Sequence, residues 1–276
     1  MSYLDPIDID TPEAGDLFDE LPLWSAPFGL WMLDRVPMRP GQTILDLGAG
    51  TGFLSVELAE RSGVDTHVIA VDPWHAAMAR LRKKIAQRGL TNITLIEQDA
   101  AVLDLPDGSV DLIVSNLGVN NFADPAAVLR VCARVARPKA TFLLTTNLVG
   151  HMAEFYDVFR QVLHETGQAD RLHLLDAHIA HRATLSSLRQ LLATAGFTVH
   201  EEDTSTFRLR FASGSALLRH FFIRLGFVPA WKAVVTPGRE QVTFERLEAA
   251  LNRTASELGE LALSIPMAGV VAHRQP

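Results

Sequence analysis

The stretch TILDLGAGTGFLSVELAER, residues 43–61, decides the fold. TILDL (43–47) reads as a buried strand, and FLSVELAER (53–61) as a helix that stops near Gly63. Between them, DLGAGTG (46–52) is a strand-to-helix turn, the context in which a glycine loop carries meaning. Without a Cβ at Gly48, Gly50 and Gly52, the backbone can turn sharply and a ligand can approach it closely.

Outward from this loop the same alternation repeats. HVIAV (67–71) reads as the second strand, and HAAMARLRKKIAQR as a helix ending at Gly89. ITLIE (93–97) and DLIVS (111–115) read as strands three and four, PAAVLRVCARVA (125–136) as a helix, and ATFLLTT (140–146) as strand five. Strands alternating with helical patterns predict an α/β fold, doubly wound, with parallel strands joined by crossover helices. All five runs read as apolar on both faces, as burial inside a parallel sheet requires.

The second half is less regular. MAEFYDVFRQVLHET (152–166) and LSSLRQLLATAG (185–196) have helical periodicity, and FTVHEEDTSTFRLRF (197–211) reads as a long strand. SALLRHFFIRLG (215–226) reads as one helix with an apolar side. Leu247, Leu251, Thr254 and Leu258 mark another helix before a final strand-like LALSIPMAGVVA (261–272), where Pro266 predicts a bulge or a late strand start. No repeat, low-complexity tract or linker interrupts the chain, so a single domain over 1–276 is expected. Within it, 1–40 reads as N-terminal cap helices, 41–148 as the ligand-binding core, and 149–276 as a half with helical insertions.

The loop narrows the ligand. A dinucleotide fingerprint would place its third glycine at position 53, where Phe53 stands, and the G-K-[ST] of a phosphate-binding Walker loop is absent. Without a pyrophosphate cradle, the reading is a nucleoside lacking phosphates. Asp72 ends the second strand 20 residues after Gly52, where a carboxylate can accept bonds from both ribose hydroxyls; the lesser alternative is a cap on the next helix.

The glycine loop, the acidic end of strand two and the Gln98-Asp99-Ala100 run after strand three occur here in one order. In these motifs the chain resembles the class I, Rossmann-like S-adenosylmethionine-dependent methyltransferases, nearest to the menaquinone/ubiquinone-biosynthesis-like small-molecule group. The similarity covers roughly residues 40–148 and weakens beyond 150. It implies a mostly parallel seven-stranded sheet and S-adenosylmethionine as cofactor. It also implies roles: Gly48, Ala49, Gly50 and Gly52 lining the methionine and ribose portions, and Asp46 near the amino group. Asp72 would hold the ribose, with Pro73 and Trp74 beside the adenine, though Trp74 could also be a core aromatic. Asp99 and Ala100 would meet the adenine edge, and Asn116 and Leu117 would touch the cofactor near its methyl.

Several chemistries are argued down. The position after strand four reads Ser115-Asn116-Leu117-Gly118, without the proline pair of amino-methylating enzymes. Neither that strand nor Thr145-Thr146-Asn147 ends in an acidic residue, so no oxygen ligand set for Mg²⁺ is expected. His173, His178 and His181 do not share one helical face, and no metal site is read there. Cys132, the single cysteine, excludes an internal disulfide and reads as a buried helical position. A net charge of −7 argues against a surface that neutralises nucleic-acid phosphates. No apolar run is long enough to span a membrane, and MSYLDPIDIDTPEAGDLFDE (1–20) lacks a secretory pattern, so a cytoplasmic location is expected.

What remains is metal-free, in-line methyl transfer to a small-molecule acceptor. Candidate bases are His151, after strand five, and His220, amid Phe221 and Phe222. Trp24 and Phe28 precede strand one, and Phe221, Phe222 and Trp231 lie among Arg219, Arg224 and Lys232. These aromatics would suit an apolar or aromatic acceptor bearing negative charge, or form ordinary core. The insertion between the last two strands suggests a helical lid over 213–258. The alternatives are a non-catalytic cofactor-binding regulatory subunit, a methyltransferase for protein or nucleic acid, and, disfavoured by Phe53, a nicotinamide enzyme. Oligomeric state is left open.

Overall fold

The computed structural model describes residues 2–19 and 23–276, so residues 1 and 20–22 of the expected cap segment lie outside the described residues. The chain runs α1 (Pro12–Asp19), α2 (Ala26–Arg35), β1 (Thr43–Leu47), α3 (Phe53–Ser62), β2 (His67–Val71), α4 (His75–Arg88), β3 (Ile93–Ile96), β4 (Val110–Asn116), α5 (Pro125–Val135) and β5 (Ala136–Asn147). It continues with α6 (Ala153–Glu165), α7 (Leu172–Ala180), α8 (Leu185–Thr194), β6 (Phe197–Phe211), α9 (Gly214–Arg219), α10 (Phe221–Gly226), α11 (Val228–Val234), α12 (Glu240–Leu258) and β7 (Leu261–Arg274).

The seven strands form one sheet in the order β3-β2-β1-β4-β5-β7-β6. β1 pairs in parallel with β2 and β4, β2 with β3, and β4 with β5, whereas β7 runs antiparallel to β5. The strand order reverses between β1 and β4. In open α/β sheets, that switch point leaves a crevice beyond the strands' carboxyl ends, where ligands bind.

The chain divides into two compact units. The larger comprises Ile9–Asn147, Ala183–Ser205 and Met267–Pro276, and the smaller Met1–Asp8, Leu148–Arg182 and Thr206–Pro266. In the larger unit, Ile44, Val68, Leu112, Val114 and Leu143 pack with Met32, Leu54 and Leu58 from α2 and α3. A second cluster gathers Val56, Ala70, Met78 and Leu81. The apolar runs of β1, β2 and β4 are buried, as the reading of strands apolar on both faces expects. β3 departs from that reading: it is an edge strand, and all four of its residues keep some exposure.

The smaller unit is built on aromatic stacking. Trp231 lies on Phe155 with ring centroids 4.0 Å apart, and Phe159 packs against Phe244 at 6.1 Å. Buried Gln168 ties this unit together, donating to Thr243 Oγ1 at 2.8 Å and accepting from the Thr236 N–H at 2.9 Å. The single helix expected over 215–226 is two helices. His220, with ψ of 129°, breaks the turn between α9 and α10, and polar and apolar side chains follow one another too evenly for periodicity to show it. Pro266 interrupts nothing: β7 is continuous, and its register with β5 begins one residue later, at Met267. No helix among the described residues is long and apolar enough to cross a membrane.

Candidate cofactor-binding site

At the carboxyl ends of β1 and β2 the glycine loop is held by one carboxylate. Asp72 accepts from the Gly50 N–H at 2.9 Å and from the Trp74 N–H at 2.8 Å. It therefore ties the loop to the start of α4, and burial raises its pKa against the lowering effect of those two bonds. Gly50 has φ of +54°, and a Cβ there would meet nothing within 4 Å, so its glycine leaves open space beside the loop. Gly52 is required for packing instead, because a Cβ would come within 2.1 Å of Leu81 Cδ1.

Asp46 is 1% exposed and accepts from the Ser55 hydroxyl. Burial, together with the nearby charge of Asp72, pushes its carboxyl up to about 7 against the pull of that hydrogen bond. Two carboxylates near a glycine turn thus make an acidic, partly desolvated pair suited to a ligand with hydroxyls and a cationic amine.

Trp74 is half-buried rather than core. Its Nε1 donates to the Ile9 carbonyl at 2.8 Å, and Phe18 of α1 meets its ring edge-on at 5.1 Å. Pro73 beside it is exposed. Asp99 is exposed and accepts from the Ala101 N–H at 2.8 Å, capping the short turn that begins at buried Ala100. Leu117 has φ of +66°, a conformation that a branched residue adopts only under restraint. Its N–H donates to the Thr145 carbonyl at 3.2 Å, and Thr145 Oγ1 donates to Asn116 Oδ1 at 2.8 Å.

Residues that sequence reasoning missed support this arrangement. Lys84 donates to Asp19 at 2.7 Å and to the Thr51 carbonyl at 2.9 Å, so α4 pins the loop to α1. Gly15 lets α1 approach α4, since a Cβ would lie 2.5 Å from the Ala76 carbonyl oxygen. Gly118 lies against the end of β1 for the same reason, with the Leu47 carbonyl oxygen 2.6 Å from a Cβ position. At the ends of β4 and β5, Asn120 donates to Asn147 Oδ1 at 2.8 Å, while the buried Asn147 Nδ2 has no hydrogen-bond partner among the described residues. The strained glycines of the loop were visible in sequence, whereas contacts between distant helices leave no local pattern.

The acceptor-side candidates fall in both units. Phe28 is fully buried and Trp24 half-buried, with ring centroids 6.3 Å apart, in the larger unit. In the smaller unit, Trp231 is fully buried, and Phe221 and Phe222 are half-buried, Phe222 edge-on to Phe227 at 5.7 Å. His151 is fully buried, and burial with the charges of Arg182 and His178 pulls its pKa down to about 3. It is a neutral ring at physiological pH. His220 is exposed at the α9–α10 break, and partial burial lowers its pKa. Cys132 is buried, its thiol pushed up to about 12.

Residues 38–195 match the methyltransferase domain family, and the chain belongs to that family. It is 31% identical over 169 residues to the ubiquinone/menaquinone biosynthesis C-methyltransferase UbiE of Shewanella oneidensis, covering 58% of this chain and 67% of that protein. The YcgJ protein of Bacillus subtilis shares the fold with a TM-score of 0.60 at 16% identity, over 91% of this chain and 99% of that one. An S-adenosylmethionine-dependent methyltransferase from Aquifex aeolicus does so with a TM-score of 0.54 at 20% identity, over 70% and 91%. The protein is an enzyme of the class I methyltransferases, with S-adenosylmethionine as cofactor.

Proposed function

We propose that this methyltransferase acts on a small-molecule acceptor, apolar or aromatic in character, by metal-free in-line displacement. The observation that supports the reading is the similarity, over 169 residues, to a ubiquinone/menaquinone biosynthesis C-methyltransferase. The lack of a proline pair after β4, where Asn116 and Leu117 stand, supports it.

The cofactor suits the residues at the switch point. The space beside Gly50 admits a ligand, and the acidic Asp46–Asp72 pair suits an ammonium and vicinal hydroxyls. In the proposed complex Asp72 holds the ribose, and Asp46 the amino group. Gly48, Ala49, Gly50 and Gly52 line the loop side, Pro73 and Trp74 flank the adenine, and Asp99 and Ala100 meet its edge. Asn116 and Leu117 border the reacting centre. S-adenosylmethionine supplies an electrophilic methyl on a sulfonium centre. The chain's task is to align an acceptor lone pair with that methyl, exclude water and dispose of a proton where one is released. His151 enters as a neutral hydrogen-bonding ring, since a group titrating near 3 is a weak base at neutral pH. His220 is the titratable alternative. The aromatic candidates for the acceptor are Trp24 and Phe28 in the larger unit and, taken separately, Phe221, Phe222 and Trp231 in the smaller unit, where residues 213–258 are the candidate lid.

The test is incubation with S-adenosylmethionine and a panel of phenols, quinols, amines, thiols, peptides and nucleic acid, followed by mass spectrometry for S-adenosylhomocysteine. Turnover confined to small molecules is expected. Turnover with peptide or nucleic acid alone, or with nothing, would overturn the reading.

A further inference from the structure

Asp46, on the strand that leads into the glycine loop, has a partner to which no role has yet been given. It is the fourth residue of β1, and Ser55 is the third of α3, so a bond between them spans the whole loop. The Ser55 hydroxyl donates to Asp46 Oδ2 at 2.5 Å, and both residues are buried, Ser55 completely. A serine in the first turn of a helix commonly turns its hydroxyl to nearby backbone or to solvent, whereas this one reaches a carboxylate nine residues upstream. The Ser55 N–H, at the start of α3, also favours the charged form of that carboxylate. The N-cap of α3, Gly52, brings no side chain of its own to the helix start.

What Ser55 supplies is a neutral donor. A lysine or arginine beside a buried carboxylate would keep it ionised, but it would also cancel the negative charge towards a ligand. Among the described residues, the one charged group that shifts Asp46 is Asp72, which follows β2, and together with burial it favours the protonated form. The hydroxyl and the N–H of Ser55 oppose both. They stabilise the anion without neutralising it, and a carboxylate held in this way remains attractive to a cationic group brought by a ligand.

We propose that Ser55 is a positioning residue of the cofactor site, whose hydroxyl fixes the Asp46 carboxylate across the glycine loop and keeps it anionic for the amino group of S-adenosylmethionine. The inference rests on the reading that Asp46 meets that amino group. Ser55 acts through Asp46, because its fully buried side chain has no surface to offer the cofactor. Without the hydroxyl, Asp46 is left to burial and to the charge of Asp72, so its carboxyl keeps a proton to higher pH. The cofactor's ammonium must then displace that proton to solvent on binding, and its affinity falls over the pH range in which the proton is held.

The experiment has two arms on the full-length protein. In the first, carboxyl NMR of isotope-labelled aspartate, with the Asp46 signal assigned through Asp46→Asn, follows the titration of Asp46 without cofactor. Ser55→Ala should raise its midpoint by about one pH unit, a tenfold change in proton affinity. Ser55→Cys, a weaker donor of similar size, should shift it the same way, and Ser55→Thr, which keeps the hydroxyl, should leave it at the wild-type value. In the second arm, calorimetry measures the affinity for S-adenosylhomocysteine, which carries the same amino group. Ser55→Ala should bind it about fivefold more weakly than wild type near pH 7, and the deficit should close as the pH approaches about 8.5. An Asp46 midpoint unchanged in both Ser55→Ala and Ser55→Cys overturns the proposal. So does a deficit of the same size at every pH, which is what a merely structural serine would give. A raised midpoint with wild-type affinity throughout would overturn instead the reading that Asp46 meets the amino group, and with it the cofactor role of Ser55.

Discussion

The two units hold polar groups in opposite ways. In the larger one, Asp72 is satisfied by two backbone N–H groups, that of Trp74 two residues on and that of Gly50 in the loop after the neighbouring strand β1. In the smaller one, the Tyr156 hydroxyl of α6 meets His178 of α7, His151 and Trp231 of α11, and the Nδ1 of His151 and the Nε of Arg182 have no hydrogen-bond partner among the described residues. The first arrangement is conservative: a loop, a strand end and a helix start suffice, so the same chemistry recurs wherever that motif folds. The second depends on how several helices pack and can be redesigned by a few substitutions.

That contrast can be broken most decisively at Gly50. Gly50→Val should abolish cofactor binding by calorimetry while far-UV circular dichroism persists, because the side chain fills the open space and resists φ of +54°. Wild-type affinity would mean that the loop does not face the cofactor. In the smaller unit the largest loss is expected at Trp231, which is fully buried on Phe155. Trp231→Ala should cost about 3–5 kcal/mol of unfolding free energy in urea titrations. Phe222→Ala, at a half-buried ring, should cost about 1 kcal/mol and leave cofactor affinity unchanged. A loss at Phe222 as large as at Trp231 would make it plain core and remove it from a lid.

Asp72→Ala should weaken S-adenosylmethionine binding tenfold or more, as each hydrogen bond to a charged group contributes about 1.5–3 kcal/mol. An unchanged dissociation constant in a folded variant would sever Asp72 from the ribose. Asp46 sharpens the electrostatic side. Its carboxyl titrates near 7 in the folded protein against 3.8 unperturbed, so between those values the folded state binds a proton that the unfolded state has released. Its contribution to stability is present at and below about pH 4 and is lost as pH rises to about 7. The stability of Asp46→Asn relative to wild type should therefore improve across that window. If Asp46 faces the cofactor's ammonium, binding near pH 6.5 should also release up to about one proton, measured by calorimetry in buffers of different ionisation enthalpy. The smallest effect is expected from chelation: turnover should survive exhaustive EDTA treatment, and loss restored by a divalent ion would overturn metal-free transfer.

Much of the larger unit was legible in sequence because its signals are local. The bounds of β1, β2 and α4 follow directly from short apolar runs and stop glycines, and even the long β6 is found at 197–211. Edge position was not legible: β3 reads as a short apolar run like β2, and only the strand order leaves it half-exposed. The roles of Lys84 and Gly15 were also hidden, since each acts on a partner dozens of residues away.

By itself, then, the sequence determined the α/β class, the strand-loop-helix carrying Gly48, Gly50 and Gly52, and the placement of Asp46 and Asp72 at strand ends, because periods of 2 and 3.6 residues and positive φ are properties of the local chain. Only the tertiary structure decided that His151 is a buried neutral ring rather than an exposed base, that α9 and α10 part at His220, and that the buried Nδ1 of His151 has no hydrogen-bond partner among the described residues. Burial and charge pairing depend on which surfaces meet after the chain has folded, and no window of neighbouring residues contains that information.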